Sequence, residues 1–349
     1  MPASLRYLFG GVSLICVCLF LAACDAIDED LSDCEKNFVV KYEVRLKTNL
    51  TTEIKTVLRD RLETAVADLL EDSLSKVFRE YAHDVDLSFY VNDNLKYHDF
   101  HIMDAGQATY DLELPADNYR HLALANTLEE GNVDVMETET AERFFLKQYT
   151  GKATDGHSVG LFTARQNMNI TQGANQTFDV PLYMANCASI LVIRTDHVSY
   201  DDLWVYSGDF ADGFMVNDSV YTHYTNPQVK DLKVAQPPAN REVFYSVTFP
   251  SYDTAEEAQS DPVTRADIGS EDVQTGAADA ERIWRKYVYV RLLNGTVTRT
   301  VINVRKPLEA GQVMIIYAYL KPDGSVYSPN VEVGTSVTLN WQDGLIFDN

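Results

Sequence analysis

The chain has few basic residues and no long apolar segment beyond its first two dozen residues. Its 29 Lys and Arg stand against 52 Asp and Glu, which gives a formal net charge of −23. Because nucleic-acid backbones are bound by clustered Lys and Arg, this balance excludes a nucleic-acid partner. The longest later apolar run, Val313 to Leu320, is much shorter than the ~20 residues of a transmembrane helix.

Motifs for catalysis or metal binding are equally scarce. Gly156-His157-Ser158-Val159-Gly160 spells a nucleophile elbow, but it follows a polar loop, whereas that motif needs a buried strand that turns into a helix. His98 and His101 would face opposite sides of a strand and could not share a metal ion. Asp209-Phe210-Ala211-Asp212-Gly213 lacks the closing Glu of a calcium loop, so a polar turn is a better interpretation than a loosely bound cation. We therefore expect no enzymatic activity, no metal and no cofactor.

The first 23 residues have the layout of a secretory signal. One basic residue, Arg6, precedes an apolar run from Leu8 to Leu21. The sequence Leu21-Ala22-Ala23-Cys24 then resembles a bacterial lipobox, after which Cys24 would carry acyl chains such as palmitate and become the N-terminus. The alternative is an ordinary signal peptide with a Cys nearby. We expect residues 1–23 to be removed and Cys24 to be lipidated.

Residues 24–36 are rich in acids and cannot form a core, so we expect an extended, lipid-anchored tether. Acids directly after a lipidated Cys resemble the surface-export signal of Bacteroidota lipoproteins. This resemblance implies an outer-membrane lipoprotein exposed at the cell surface, and the alternative is a solvated linker. The candidate export residues are Asp25, Asp28, Glu29 and Asp30.

Cysteine is sparse in the part that would remain after export. Cys34 and Cys187 are the only two beyond Cys24. An even pair in an exported protein is a candidate disulfide. In the alternative, Cys187 is a small buried core residue and Cys34 is a free thiol.

Alternation between apolar and polar residues begins directly after the tether. Phe38, Val40, Tyr42 and Val44 share one face, which predicts a half-buried first strand. From Thr51 to Tyr81 the apolar residues instead recur every three or four positions, which predicts one long helical insertion that packs on a sheet.

The rest of the chain consists of many short strand-like segments separated by turn residues, with a tight-hairpin signal at Asn294-Gly295. This pattern predicts an all-β fold with two tandem sandwiches, over residues 37–184 and 185–349. Trp204, Trp284 and Trp341 are candidate sugar-stacking residues. Of these, Trp341 is better explained as core, and Trp284 beside Arg282 and Arg285 is the least settled.

Several segments together resemble the FimB-like fimbrial anchor lipoproteins of Bacteroidales type V pili. They are Cys24, Asp30 to Cys34, Leu87 to Asp93, Leu114 to Tyr119, Leu122 to Asn126, Phe249 to Ser251 and Val337 to Trp341. The resemblance implies two transthyretin-like β-sandwich domains without enzymatic activity. It also implies a protein that anchors the fimbria at the outer membrane, limits fibre length and contacts a shaft subunit through a strand or a domain surface.

Two other functions fit the same features. A shaft or accessory subunit of the same superfamily would be cleaved after its first strand, at Arg45, Arg59 or Arg61. A surface glycan-binding lipoprotein of a polysaccharide-uptake system would need an exposed aromatic platform, for which Trp284 or the stretch Tyr221 to Tyr224 is the candidate.

Overall fold

The computed structural model describes residues 37–46, 64–75, 77, 82–148, 153–173, 175–260, 273–276, 278–329 and 335–338. The predicted signal peptide and tether, with Cys24, Asp25, Asp28, Glu29, Asp30 and Cys34, lie outside the described residues, as does Trp341. In the described part of the chain, no helix is long and apolar enough to cross a membrane.

The described residues form short strands and two helices. The strands are β1 (Asn37–Leu46), β2 (Asp84–Val91), β3 (Asn94–Ile102), β4 (Thr109–Pro115), β5 (Asn118–Ala125), β6 (Val133–Met136), β7 (Phe145–Gln148), β8 (Ala153–Asp155), β9 (Phe162–Asn169), β10 (Gln176–Met184), β11 (Cys187–Arg194), β12 (Tyr200–Gly208), β13 (Gly213–Met215), β14 (Val220–Thr222), β15 (Gln228–Lys230), β16 (Leu232–Lys233), β17 (Arg241–Thr248), β18 (Val273–Gly276), β19 (Trp284–Leu292), β20 (Val297–Val304), β21 (Gln312–Leu320), β22 (Val326–Tyr327) and β23 (Thr335–Thr338). The helices are α1 (Thr64–Leu74) and α2 (Ala255–Ser260), with 3-10 turns at Ala141–Arg143 and Asp279–Glu281.

The first sheet runs in the order β3-β2-β5-β9-β10-β1-β4. Its strands β9 and β10 share only two residue pairs, so the sheet divides into a four-stranded and a three-stranded part. Buried side chains of both parts belong to one hydrophobic cluster, with Leu87 and Phe89 from the first part and Val40 and Val180 from the second. The two parts are therefore the layers of a sandwich.

Helix α1 falls inside the segment predicted to be helical. Its buried residues Val66, Ala67, Leu70 and Leu74 form one stripe and join the same hydrophobic cluster as the first sheet. The predicted helical insertion and its packing face are thus confirmed over Thr64–Leu74. The remainder of the predicted helix lies mostly outside the described residues.

The second half contains two larger sheets. One runs β16-β17-β11-β21-β22, with β23 paired to β21, and the other runs β18-β20-β19-β12-β15-β8. A second hydrophobic cluster joins Leu191 and Ile316 of the first sheet to Val288 and Ile302 of the other. The predicted hairpin connects β19 to β20, and Gly295 adopts a φ of +84° that suits a glycine in a tight turn. An all-β sandwich fold is confirmed.

Two strands that precede residue 184 pair with strands that follow it. β7 pairs with β13 in a small sheet of order β14-β13-β7-β6, and β8 pairs in parallel with β15. A third hydrophobic cluster contains Phe144 and Leu146 together with Phe214 and Phe249. The two halves of the chain are therefore joined by shared sheets, and the division at 184/185 stays a prediction.

Candidate functional site

The first strand occupies the interior of its sheet. β1 pairs in parallel with β10, from Val40 to Leu46, and antiparallel with β4, from Asn37 to Glu43. Both of its edges are therefore hydrogen-bonded along the strand. If β1 were removed, β10 and β4 would each expose a row of unpaired backbone groups.

The predicted apolar face of β1 points into the core. Val40 and Tyr42 are 0% exposed and Val44 is 5% exposed, while Phe38 is partly buried against the same cluster. Val39 on the opposite face is 41% exposed. The predicted alternation is thus confirmed, whereas permanent retention of this strand stays a proposal.

Tyr42 also ties β1 to the opposite layer through a buried histidine of β5. The Nδ1–H of His121 donates to the carbonyl oxygen of Ser88 at 3.1 Å, so its Nε2 accepts the hydroxyl of Tyr42 at 2.5 Å. Burial lowers the pKa of His121 to about 4 and raises the pKa of Tyr42 well above its ordinary value. The histidine ring stacks on Phe89 with centroids 4.3 Å apart. The contact is a neutral hydrogen bond across the core.

The sequence offers one signal for the position of His121. Tyr119, His121, Ala123 and Ala125 alternate along β5, and the other three belong to the same buried cluster as Tyr42. Period two therefore places the histidine ring in the core. It does not identify Tyr42, 79 residues away, as the partner.

Residues 156–160, whose sequence matches a nucleophile elbow, have a structural role. It lies between β8 and β9, with no strand-to-helix turn. His157 is buried, its Nδ1 lies 3.2 Å from Nδ2 of Asn186, and burial lowers its pKa to about 3. The backbone N–H of Ser158 donates to Oε2 of Glu130 at 2.6 Å. The carboxylate of Glu130 thus fixes the backbone of Ser158 in this loop.

The two histidines of β3 have separate partners, as expected for opposite faces. Nε2 of His98 lies 2.8 Å from Oδ1 of Asp86, and the ring of His101 stacks on Tyr110 with centroids 4.6 Å apart. Among the described residues, no group of three or more His, Cys, Asp and Glu side chains has an arrangement that could hold a metal ion.

The turn that begins at Asp209 supplies a buried carboxylate to two arginines. Oδ2 of Asp209 accepts from Nη1 of Arg282 at 2.8 Å and from Nε of Arg285 at 2.7 Å. Oδ1 accepts from Nη2 of Arg285 at 2.7 Å and from Nδ2 of Asn226 at 3.0 Å. Because two arginine side chains bind this carboxylate, Asp209 forms an internal ion pair with them. This arrangement was not predicted from the sequence.

A second buried ion pair lies next to the first along β19. Nζ of Lys286 contacts the carboxylate of Asp231 and donates to Oγ of Ser207 at 2.9 Å, and Ser207 donates to Oδ1 of Asp231 at 2.7 Å. Both charged side chains are fully buried. Burial lowers the pKa of Lys286, and the nearby Asp231 opposes that change.

The tryptophan expectations are partly wrong. Trp284 is 0% exposed and its Nε1–H donates to the carbonyl oxygen of Lys306 at 2.9 Å, so it cannot form a sugar-stacking surface. Trp204 is half-buried and stacks on Tyr289, with centroids 5.4 Å apart and planes 3° apart. The basic neighbours of Trp284, Arg282 and Arg285, beside which its role was the least settled, are themselves buried.

Cys187 is buried at the start of β11. Its Sγ lies 3.5 Å from the carbonyl oxygens of Thr248 and Phe249, and burial raises the pKa of its thiol to about 12. The proposed partner, Cys34, lies outside the described residues. The disulfide stays a prediction.

The chain matches no protein-family model and no curated protein. Similar folds occur among solved structures. A candidate adhesin of Bacteroides ovatus is 10% identical with a TM-score of 0.50, over 86% of this chain and 95% of the other. A candidate polysaccharide-binding protein of Bacteroides thetaiotaomicron is 12% identical with a TM-score of 0.51, over 82% and 92%. The fimbrial anchor protein Mfa2 of Porphyromonas gingivalis is 10% identical with a TM-score of 0.45, over 84% and 95%.

These structural neighbours are Bacteroidales adhesin and fimbrial proteins, the group that the sequence resembles. At 12% identity or less, the likeness shows the fold alone. The β-sandwich architecture expected from the sequence resemblance is therefore shared with the adhesin and polysaccharide-binding candidates along most of this chain.

Proposed function

We propose that this protein is an outer-membrane lipoprotein that anchors a type V fimbria at the cell surface and limits the length of the fibre. The observation that carries the proposal is the position of β1 between β10 and β4. This strand follows directly on the acidic tether and the lipobox Cys24. The segment that would hold the lipid thus continues into an internal strand of the sheet.

Loss of β1 would strongly destabilise the sandwich. Three of its side chains, Val40, Tyr42 and Val44, are almost completely buried. Each such side chain contributes about 1.5–3 kcal/mol, so their sum approaches the ~5–15 kcal/mol that stabilises a whole domain. A subunit that keeps β1 also offers no vacant groove for another subunit's strand at that end. Retention of β1 would therefore both hold the fibre and stop its growth.

The proposed location and partners follow from the same features. The lipid on Cys24 would insert in the outer membrane, and the acids Asp28, Glu29 and Asp30 would direct the protein to the outer face. A fold shared with a candidate adhesin supports a surface role without enzymatic activity. The partner would be a fimbrial shaft subunit, bound through a strand or a domain surface.

A shaft or accessory subunit is the nearest alternative. Arg45, one of its candidate cleavage sites, lies within β1 and pairs with Pro181 of β10. Cleavage after Arg45 would separate almost the whole paired strand from the domain. Arg59 and Arg61 lie outside the described residues.

A glycan-binding lipoprotein is the alternative from a different class. It gains support from the fold shared with a candidate polysaccharide-binding protein. It loses one of its two proposed aromatic platforms, because Trp284 is buried.

The N-terminus of the protein in purified fibres decides between anchor and shaft. The anchor function requires a mature chain that begins at acylated Cys24, measured by intact-mass analysis. A chain that begins after Arg45, Arg59 or Arg61 would overturn the anchor function in favour of the shaft. As a control, Cys24→Ala should move the protein from the membrane fraction to the soluble fraction.

A further inference from the structure

A cleft lies where β14, the segment after β17 and helix α2 meet. Its volume is about 640 Å³, and its lining includes Tyr221, His223, Tyr252, Asp253 and Glu257. Sites for small ligands are concave and have volumes of roughly 300–1,000 Å³. The size and shape therefore suit a small organic ligand. We refer to this feature as the His223 cleft.

The floor of the His223 cleft is aromatic and held in place. The rings of His223 and Tyr252 stack with centroids 3.8 Å apart and planes 18° apart. Beside them, the hydroxyl of Tyr221 donates to the carbonyl oxygen of Ala185 at 2.7 Å, and its ring lies 4.7 Å from that of Phe214. Because neighbouring groups fix these rings, ligand binding would not have to immobilise them.

The rim of the cleft supplies oxygen atoms. Asp253 and Glu257 are exposed, and Ser219 adds a hydroxyl group. Carboxylates accept hydrogen bonds from hydroxyl groups, and these bonds are stronger than those between neutral groups. The same carboxylates, in a chain of net charge −23, repel anionic ligands.

We propose that the His223 cleft binds an uncharged sugar unit of a glycan. The C–H face of a sugar ring would lie on the aromatic floor, and its hydroxyl groups would donate to Asp253 and Glu257. A basic peptide is the alternative ligand, because the two carboxylates would attract it and a Lys or Arg side chain can lie over an aromatic ring. The cleft volume of about 640 Å³ suits a small uncharged ring, and tetralysine serves as the competing probe. The site does not depend on the anchoring function, because none of its residues belongs to β1 or the tether.

Saturation-transfer NMR on the full mature protein tests this proposal. The probes are the methyl glycosides of glucose, mannose, galactose and N-acetylglucosamine, with galacturonate and tetralysine for comparison. We expect transfer to at least one uncharged glycoside, strongest for the C–H protons of one ring face, and none to galacturonate. His223→Ala and Glu257→Gln should each weaken binding about tenfold, the upper range for one aromatic or charged contact.

Matched variants separate binding from folding. Tyr224→Ala removes an aromatic ring that is 77% exposed and adjacent in sequence but not part of the cleft lining, so it should bind as the unaltered protein does. Conservative His223→Phe keeps a ring over Tyr252 and should retain most of the affinity. Absence of transfer to all four glycosides, unchanged binding by His223→Ala, or displacement by tetralysine alone would overturn the proposal. None of these outcomes would bear on where the mature chain begins.

Discussion

The two halves of the molecule place polar groups in their cores in different ways. In the first half, Tyr42 and His121 form a neutral hydrogen bond between the layers. In the second half, Asp209 holds two buried arginines and Asp231 holds a buried lysine. A neutral pair loses little when it is buried, whereas a buried charge without its partner is very costly. The second half therefore depends on complete ion pairs between buried side chains, whereas the buried carboxylate of Asp84 in the first half accepts from the backbone N–H groups of Thr127 and Leu128.

The largest expected effect comes from Asp209→Ala. The substitution leaves Arg282 and Arg285 buried without their shared carboxylate, and breaking a buried pair in this way costs about 3–5 kcal/mol. Urea denaturation should show a loss of this size in the free energy of unfolding. Asp201→Ala is the matched control, because its pair with Arg291 at 3.7 Å is exposed and should be worth less than ~1 kcal/mol. Equal losses in the two variants would contradict the difference between buried and surface pairs.

Lys286→Met should also be strongly destabilising, since the carboxyl group of Asp231 would be left buried without its cation. The expected loss is about 3–5 kcal/mol. The double variant Lys286→Met with Asp231→Leu removes both charges and should recover much of that loss, as buried ion pairs are often replaceable by apolar residues. Thermal unfolding of the single and double variants measures this coupling. If the double variant is less stable than the single variant, the attraction between Lys286 and Asp231 contributes more to stability than the cost of leaving one of them unpaired.

The neutral pair predicts a pH dependence in the first half. The pKa of His121 is about 4 in the folded protein and near 6.5 when exposed, so the unfolded chain binds more protons between these values. Stability should therefore fall as the pH falls from 6.5 to 4, by up to about 3 kcal/mol. His157, with a pKa of about 3, acts in the same direction. Denaturation across this range should give a shallower slope for His121→Asn, and an unchanged slope would contradict the assignment.

The smallest effect is expected for Tyr42→Phe. It removes one hydroxyl and leaves Nε2 of the buried His121 without its donor, at a cost of about 1–3 kcal/mol. Tyr110→Phe is a close control, because its hydroxyl is buried and has no hydrogen-bond partner among the described residues. Tyr110→Phe should therefore leave the free energy of unfolding nearly unchanged. Similar losses from both variants, measured by urea denaturation, would show that the Tyr42–His121 bond adds nothing specific.

Local patterns predicted much of the fold because they depend on neighbours in sequence. Alternation identified β1, the three-and-four periodicity identified α1, and Asn294-Gly295 identified the β19–β20 hairpin. Such patterns could not predict which distant residues the sheet register brings into contact. Asp209 and Arg285 are 76 residues apart, and nothing near either one indicates the other. The role of Trp284 was unsettled for the same reason, since the carboxylate of Asp209 that holds its basic neighbours is distant in sequence.

The His223 cleft illustrates an intermediate case. Tyr221 to Tyr224 stood out as an aromatic stretch, and two of its residues, Tyr221 and His223, do line the cleft. Tyr252 and Glu257, which complete it, come from a segment about 30 residues later and carry no signal of their own. Composition located part of the candidate site, and tertiary structure supplied the remainder.

The position of β1 has a mechanical consequence. Any load that reaches the sandwich through Asn37 pulls β1 along its own axis, between parallel β10 and antiparallel β4. In this shearing geometry the hydrogen bonds on both sides resist together, whereas a strand peeled from an edge gives way one bond at a time. Resistance to force depends on the rate of unfolding rather than on equilibrium stability. A strand that is hydrogen-bonded along both edges is thus well suited to bear tension applied at its N-terminal end.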